Sequence, residues 1–177
     1  MRDIRQTAEI TVGVVGLGLM GSSIVASLLI SGHKVVALAP LPVDKKYAFD
    51  KISSQLLHGK EAGILDKNVE QYLENLTISD DYTSLKNCLI VMECVIENIE
   101  IKADVFKKIT DNVSNQTIIG TNTSAIPISK LQQLVANPER FIGIHWSEPA
   151  FMTRFLEITC GAQTAPSNAD KVFALAH

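Results

Sequence analysis

The sequence predicts an α/β fold in which helices cover both faces of a doubly wound, mostly parallel β-sheet. Short β-rich apolar runs alternate with segments of helical periodicity along the 177 residues. The run at residues 89–96 is almost continuously apolar, which is typical of a strand buried on both faces. A Gly-x-Gly-x-x-Gly segment at residues 16–21 stands between the first strand and the first helix.

The strand predictions depend on short runs in which apolar and β-branched residues dominate. In chain order they cover residues 10–15, 34–38, 76–78, 89–96, 117–120, 141–145 and 154–159. Because helical segments separate most of them, we expect parallel neighbours joined by right-handed crossovers.

The helix predictions depend on apolar residues at helical spacing and on terminating signals. In chain order they cover residues 20–31, 43–60, 66–75, 102–113 and 128–135. Gly32 ends the first helix, and Pro40 and Pro42 interrupt the chain before the second. The expected buried stripe of the second helix consists of Tyr47, Ile52, Leu56 and Leu57.

Composition excludes several classes of protein. The net charge of −3 and the pI of about 5.8 argue against a nucleic-acid binder, which usually carries a basic excess. No stretch approaches the roughly 18 apolar residues of a membrane span, and residues 1–5 do not resemble a secretory signal. Cys88, Cys94 and Cys160 form no Cys-x-x-Cys pair. We therefore expect a cytoplasmic protein with no metal, membrane or nucleic-acid partner.

The glycine-rich segment predicts a dinucleotide site. Gly16 allows the tight turn, Gly18 lets the backbone approach a pyrophosphate, and Gly21 lets the helix approach the sheet. Leu19 and Met20 begin the helix, whose free N–H groups and positive dipole end attract phosphates. Because the segment opens a strand–helix–strand unit, we interpret it as the phosphate-binding turn of a Rossmann-type domain. The alternative is a glycine turn that serves packing only.

The end of the second predicted strand lacks the acidic residue that usually binds the adenosine ribose. Ala39 stands there, and Asp44, beyond two prolines, is a poor substitute. Lys45 and Lys46 could meet the 2′-phosphate of NADP, although such a charge cluster is also typical of a solvated helix face. We expect NAD as the cofactor and leave NADP open.

Three further polar clusters begin at or near the ends of predicted strands. They consist of Glu93, Glu97, Asn98 and Lys102; of Asn122, Thr123 and Ser124; and of residues 145–149 with Glu157 beyond them. Open α/β sheets bind ligands at the carboxyl ends of their strands, so we expect all three clusters to face the same crevice as the glycine loop. Glu93 lies late in a buried strand and is either structural or functional.

The order of these motifs resembles the NAD-binding domain of the L-3-hydroxyacyl-CoA dehydrogenase family, from about residue 10 to residue 161. The ordered set Glu-Asn-x-x-x-Lys, Asn-Thr-Ser and Gly-x-His-x-x-x-Pro is much more specific than the glycine loop. The resemblance implies that His145 is the catalytic base and Glu157 its carboxylate partner. It implies further that Ser124 binds the reacting oxygen and that Asn122 supports that turn.

The same resemblance implies that Glu97 and Lys102 line the cofactor site. The chain departs from the family pattern at Ala39 and within residues 146–148. Ala39 replaces the ribose-binding Asp. Glu148 replaces an Asn near the nicotinamide ribose, within His-Trp-Ser-Glu-Pro where the family has His-Phe-Phe-Asn-Pro. An amide donates and accepts hydrogen bonds, whereas an ionised Glu148 only accepts.

The chemistry agrees with these roles, and each has a structural alternative. Oxidation of an alcohol releases a proton, which a histidine paired with a carboxylate can accept. His145 can also be an ordinary strand-end residue. Glu157, in an apolar strand, needs a partner, for which Arg154 and Lys102 compete with His145. The Asn-Thr-Ser segment at residues 122–124 can be a cap of the helix that follows.

The resemblance also implies a domain organisation and an activity. Residues 1–161 form the dinucleotide-binding domain, and residues 162–177 begin the connection to an all-helical domain. That domain would complete the acyl-CoA site and form a homodimer. We expect hydride transfer between NAD(H) and a 3-hydroxyacyl-CoA or 3-ketoacyl-CoA, in fatty acid metabolism, and little turnover by the 177-residue chain alone.

Two other functions compete with this interpretation. A β-hydroxyacid dehydrogenase of the hydroxyisobutyrate type also has Gly-Leu-Gly-x-Met-Gly but relies on a catalytic lysine in its helical domain. A non-catalytic dinucleotide-binding module would account for the loss of the ribose acid. The constellation of residues 122–124, His145 and Glu157 favours the dehydrogenase.

Overall fold

The computed structural model describes residues 10–153 and 155–175. Its strands are β1 (Thr11–Val15), β2 (Lys34–Leu38), β3 (Leu76–Ser79), β4 (Ile90–Glu93), β5 (Ile118–Thr121), β6 (Phe141–Trp146) and β7 (Leu156–Cys160). They form a seven-stranded sheet in the order β3-β2-β1-β4-β5-β6-β7. Every neighbouring pair is parallel except β6 and β7. The predicted fold class is confirmed.

The helices lie on both faces of the sheet. They are α1 (Leu19–Ile30), α2 (Pro42–Glu61), α3 (Val69–Leu73), α4 (Ile99–Asn112), α5 (Ile128–Leu131), α6 (Ala150–Thr153) and α7 (Pro166–Leu175). Short 3₁₀ segments cover Tyr82–Asn87, Gln132–Leu134 and Pro138–Arg140. The sequence pattern missed α6 and the first 3₁₀ segment because segments of four to six residues show no helical period. No helix in the described part combines the length and apolar character of a bilayer crossing.

Two apolar cores, one on each face of the sheet, hold the layers together. Helices α1, α2 and α6 bury apolar residues in one core, and α4 and α5 do so in the other. In α2 the buried positions are Ala48, Ile52 and Leu56, spaced four residues apart. The prediction that Tyr47 and Leu57 belong to this stripe is wrong, because both are about half exposed on the other side of the helix.

The connection between β4 and α4 differs from the prediction, and the difference shapes the site. The strand ends at Glu93 rather than at residue 96, where Ile96 is exposed. The helix begins at Ile99 rather than at Lys102, because the Asn98 side chain accepts a hydrogen bond from the Ile101 N–H at 2.9 Å and caps it. Residues 94–98 therefore form a loop at the carboxyl edge of the sheet.

The last strand returns antiparallel to β6. The register places Glu157 directly opposite His145, and opposite residues in an antiparallel pair lie on the same face. The predicted strand began at Arg154, which lies outside the described residues, and the observed strand begins at Leu156. Helix α7 then covers Pro166–Leu175, and Val172 is buried against the sheet.

Candidate active site

The glycine loop between β1 and α1 has the geometry of a backbone phosphate site. Gly16 has φ +96°, which side chains rarely permit, and its N–H donates to the Leu38 carbonyl at 2.9 Å. A Cβ on Gly21 would overlap the carbonyl oxygen of Gly16. A Cβ on Gly18 would meet no atom within 4 Å. The fold itself therefore requires Gly16 and Gly21, whereas Gly18 leaves open space through which a pyrophosphate can approach the backbone.

The first turn of α1 supplies backbone N–H donors for a pyrophosphate that approaches Gly18. Gly18 is the N-cap residue and offers no side chain to the first N–H groups of the helix. Leu19 is exposed and Met20 is partly buried beside the loop. Lys51 of α2 donates from Nζ to the Leu17 carbonyl at 3.2 Å and lies 3.7 Å from an Asp44 oxygen, so it joins α2 to the loop. Sequence reasoning did not predict this contact, because no local pattern connects Lys51 with the loop.

Ala39 occupies the position of the absent ribose acid. Its side chain is buried, and its N–H donates to the Ser79 carbonyl at 2.8 Å. Lys45 is paired with Asp80 at 2.7 Å on the exposed surface of α2, and Lys46 lies over the ring of Tyr47. These contacts favour a solvated helix face over a 2′-phosphate site for the two lysines.

Glu93 and Lys102 form a buried ion pair at the end of β4. The Lys102 Nζ lies 2.8 Å and 2.9 Å from the two carboxylate oxygens of Glu93. The hydroxyl of Thr121 donates to Glu93 at 2.7 Å, and so does the Val95 N–H at 2.7 Å. Burial raises the pKa of Glu93, against opposing effects of Lys102 and Thr121. Sequence reasoning left Glu93 undecided; the structure makes it the counter-charge of Lys102.

Glu97 connects this pair to the turn after β5. One of its oxygens lies 3.1 Å from Lys102 Nζ. The other accepts hydrogen bonds from the Thr123 hydroxyl at 2.6 Å and from the Ser124 N–H at 3.1 Å. Partial burial opposes ionisation, but the hydrogen bonds from Thr123 and Lys102 outweigh it and lower the pKa of Glu97. The carboxylate therefore holds the loop after β4 and the turn after β5 together.

Asn122 connects the ends of β5 and β6. Its side-chain oxygen accepts a hydrogen bond from the Trp146 N–H at 2.9 Å. The N-cap residue of α5 is Pro127, so the structural alternative in which residues 122–124 cap that helix does not hold. The Thr123 hydroxyl instead accepts from the Ile126 N–H at 3.0 Å within its own turn. The exposed Ser124 hydroxyl takes no part in the hydrogen bonds of this turn.

His145 and Glu157 are neighbours across the antiparallel pair. The His145 Nδ1 lies 3.3 Å from a Glu157 carboxylate oxygen. The side chains are 28% and 57% exposed, so the expectation of a charge buried in an apolar strand is wrong. Lys102 is committed to Glu93 and Glu97 and does not compete for Glu157. The competing candidate Arg154 lies outside the described residues.

One cavity of about 410 Å³ brings most of the predicted residues together. It is lined by Met20, Cys94, Val95, Ile96, Glu97, Lys102, Asn122, Ser124, His145, Trp146, Ser147 and Glu148. Glu157 reaches the cavity only through His145. Of the predicted cofactor residues, Ala39, Leu19 and the three loop glycines lie outside its lining, so Met20 is the member of the glycine segment that borders it. Among residues 10–153 and 155–175, no three His, Cys, Asp or Glu side chains are placed to hold a metal ion.

Glu148 enters this cavity from the segment after β6. Its Oε2 is buried and accepts no hydrogen bond from the described residues, and the Trp146 Nε1 likewise has no acceptor there. A buried carboxylate oxygen without a donor is costly, so a bound group that donates an N–H or O–H would stabilise it. Glu148 stands where the family has Asn. The cavity is therefore lined by a carboxylate, which in its ionised form only accepts hydrogen bonds.

Comparison with known proteins agrees with this geometry. Residues 11–177 match the family described as "3-hydroxyacyl-CoA dehydrogenase, NAD binding domain". The chain is 33% identical to 5-formyl-3-hydroxy-2-methylpyridine 4-carboxylate 5-dehydrogenase of Mesorhizobium japonicum, over 88% of this chain and 50% of that protein. It is 30% identical to 3-hydroxybutyryl-CoA dehydrogenase of Clostridioides difficile, over 92% of this chain and 58% of that protein.

Solved structures show the same likeness. The crystal structure of (S)-3-hydroxybutyryl-CoA dehydrogenase from Ralstonia eutropha matches with a TM-score of 0.88 and 30% identity, over 94% of this chain and 59% of that one. The chain thus spans little more than half the length of the relatives it matches. NAD is the cofactor of the domain matched, and the open backbone at Gly18 fits its pyrophosphate. The chain belongs to the 3-hydroxyacyl-CoA dehydrogenase family of NAD-dependent oxidoreductases, of which it represents the NAD-binding domain.

Proposed function

We propose that the protein transfers a hydride between NAD(H) and a 3-hydroxyacyl or 3-ketoacyl thioester, with His145 as the base. The observation that carries the proposal is the meeting of His145 and Ser124 in one cavity, with Glu157 behind the histidine at 3.3 Å. A proton acceptor and a hydroxyl that face the same cavity are what the oxidation of a secondary alcohol needs.

Separate side chains accept the proton, stabilise the resulting charge and bind the reacting oxygen. With the Nδ1–H of His145 directed at Glu157, the Nε2 is the acceptor that takes the alcohol proton, and the carboxylate stabilises the imidazolium that forms. The Ser124 hydroxyl donates to the reacting oxygen, and Glu97 holds the Ser124 backbone in place. When bound, NAD supplies the nicotinamide that accepts or returns the hydride. The backbone around Gly18 holds its pyrophosphate.

A second candidate substrate is a small aromatic alcohol or aldehyde without a thioester. It is favoured because the relative from Mesorhizobium japonicum, at 33% identity, is a dehydrogenase of a pyridine carboxylate. The same catalytic groups would serve both substrates. The thioester is preferred because the family and the Clostridioides difficile relative are both named for acyl-CoA substrates.

The substrate proposal is tested by assaying the whole protein with acetoacetyl-CoA and NADH and following the loss of NADH absorbance. We expect turnover in this assay. In parallel, the protein is supplied with the formyl-pyridine carboxylate and NAD⁺. Turnover of only the pyridine would replace the thioester assignment, and turnover of neither would favour a non-catalytic dinucleotide-binding module.

We propose that Glu148 gives the site a preference for the oxidised cofactor. The carboxylate attracts the positive charge of the oxidised ring, and at an effective dielectric constant of about 20 such a pair gains a few kcal/mol at contact and less through water. We expect Glu148→Gln to weaken binding of NAD⁺ relative to NADH by about three- to tenfold, measured by calorimetry at low salt. Glu61→Gln, on the exposed end of α2, is the matched control. An unchanged ratio would contradict the preference.

We propose that the site prefers NAD(H) over NADP(H). Lys45 is already neutralised by Asp80, so it offers a 2′-phosphate little net attraction. We expect NADH to bind more tightly than NADPH in calorimetry with the 177-residue chain. Tighter binding of NADPH would show that Lys45 exchanges Asp80 for the phosphate.

We further propose that residues 162–177 lead from this domain, residues 1–161, into a helical domain that completes the acyl-CoA site. That domain would pair two copies of the protein, which would act in fatty acid metabolism in the cytoplasm. Support comes from the relatives, of whose length the match with this chain covers only 50% and 58%. A dimeric mass for the whole protein in light scattering, beside a monomeric mass for the 177-residue chain, is the expected result.

A further inference from the structure

Glu93 is a buried acid whose position only the structure explains. Its carboxylate is fully buried, and each of its oxygens accepts from Lys102 and from one further donor, Val95 N–H or Thr121 hydroxyl. A carboxyl group that accepts four hydrogen bonds from three donor groups has no place for its own proton, so this geometry favours the ionised form of Glu93. Burying two charges costs more solvation than an ordinary core residue, which calls for a reason beyond stability.

Lys102 lines the cavity but is almost inaccessible from it. Its side chain is 1% exposed, and its ammonium is shared between Glu93 and Glu97. Glu97 lines the same cavity and is far more accessible, because its side chain is 40% exposed. Any effect of Lys102 on a bound dinucleotide is therefore transmitted through Glu97.

The chain of contacts runs from the sheet to the cavity in three steps. Glu93 fixes the ammonium of Lys102, Lys102 fixes one oxygen of Glu97, and the other oxygen fixes the Ser124 N–H. The pKa of Glu97 stays low because of its bonds to Thr123 and Lys102, which outweigh partial burial. Without Lys102, the Glu97 carboxylate would lose its cation and one of its anchors.

We propose that Glu93 is a positioning residue for the dinucleotide site, which acts through Lys102 to keep Glu97 ionised and oriented toward the ligand. The inference depends on the proposed function only in that the cavity holds NAD(H). It assigns to the buried pair a task in binding, in addition to its place in the fold.

The experiment separates the two roles with a double variant of the 177-residue chain. Lys102→Met alone leaves Glu93 buried without a counter-charge, and we expect a clearly lower melting temperature. Glu93→Gln/Lys102→Met removes both charges, and we expect most of the melting temperature to return. NADH, titrated by its fluorescence, should nevertheless bind the double variant about tenfold more weakly than the parent chain, because Glu97 has lost its cation. Lys107→Met, on the exposed side of the same helix, is the matched control and should change neither quantity.

The pH dependence of NADH affinity provides a second test. A Glu93–Lys102 pair with a purely structural role would leave this pH dependence unchanged. Loss of Lys102 raises the pKa of Glu97, so NADH affinity should begin to fall at a higher pH in the double variant as the solution is acidified. The groups that face Glu97 are Lys102 on α4 and Thr123 and Ser124 on the turn after β5, with His145 and Glu148 across the cavity. Lys102 and the acid Glu93 both differ between the two chains, so the pH profile of Glu97→Gln, which keeps both, identifies the part of the difference that belongs to Glu97.

The outcomes are distinct. NADH binding by the double variant at parental strength, or identical pH profiles, would overturn the inference and leave the proposed function intact. A parent chain that binds no NADH would overturn both. Glu97→Gln covers the case in which the double variant does not fold: it keeps the buried pair, and we expect the same tenfold loss. Parental affinity in Glu97→Gln would also overturn the inference.

Discussion

Replacement of His145 by Gln lowers kcat of the whole protein by about 10²- to 10⁴-fold, the range expected when a general base is removed. Gln keeps a polar side chain of similar reach but cannot take up the alcohol proton. Because the imidazole is 28% exposed and supports no core contact, we expect the melting temperature to stay close to that of the parent. The measurement is steady-state turnover of acetoacetyl-CoA with NADH, beside a calorimetric Kd for NADH.

Two companion variants sharpen this result. Glu157→Gln should retain more activity than the histidine variant, because the amide can still accept from Nδ1–H but no longer stabilises the imidazolium. His58→Gln, on the exposed end of α2, is the matched control and should turn over substrate normally. Wild-type turnover by His145→Gln would assign the base to another residue and remove the mechanism proposed above.

Two alanine substitutions three residues apart in the glycine loop should have opposite effects. Gly18→Ala leaves the fold intact or slightly more stable, because Gly18 has φ −71° and open space around it. The added methyl group occupies the space through which the pyrophosphate reaches the backbone, so we expect NADH affinity to fall by about tenfold or more. Gly21→Ala forces a methyl group into the Gly16 carbonyl, and overpacking of this kind typically costs about 1–3 kcal/mol of stability.

Thermal unfolding and NADH titration of the two variants test this contrast. In Gly21→Ala the loss of binding follows a loss of fold, whereas in Gly18→Ala it occurs at an unchanged melting temperature. Normal NADH binding by Gly18→Ala would mean that the pyrophosphate lies elsewhere. The glycine turn would then serve packing only.

Much of the fold could be predicted from local patterns. The alternation of apolar runs and helical segments predicted the seven strands and their mostly parallel sheet, because burial on both faces demands apolar strands. The predicted ends of the helices and strands were wrong where a side-chain contact determines them. The cap at Asn98 begins α4 three residues early, and the exposed Ile96 looked like part of a buried strand.

The candidate site could be predicted only in part. Motif order along parallel strands placed His145, Ser124 and Glu97 at one sheet edge, because successive carboxyl ends meet there. The pattern did not show that Glu157 is exposed, because an apolar strand at the edge of a sheet looks the same as a buried one. The contact of Lys51 with the glycine loop was not predicted, since this lysine meets the loop from another helix.

The sequence by itself determined the class of fold, the glycine turn and the residue types that meet at the sheet edge. These follow from periodicity and from motifs in which the chemistry needs fixed neighbours. Only the tertiary structure decided that Lys102 is buried between Glu93 and Glu97, and that Glu148 holds an unpartnered acceptor in the cavity. The physical reason is that burial and pairing depend on which elements lie side by side, and local sequence does not record those distances.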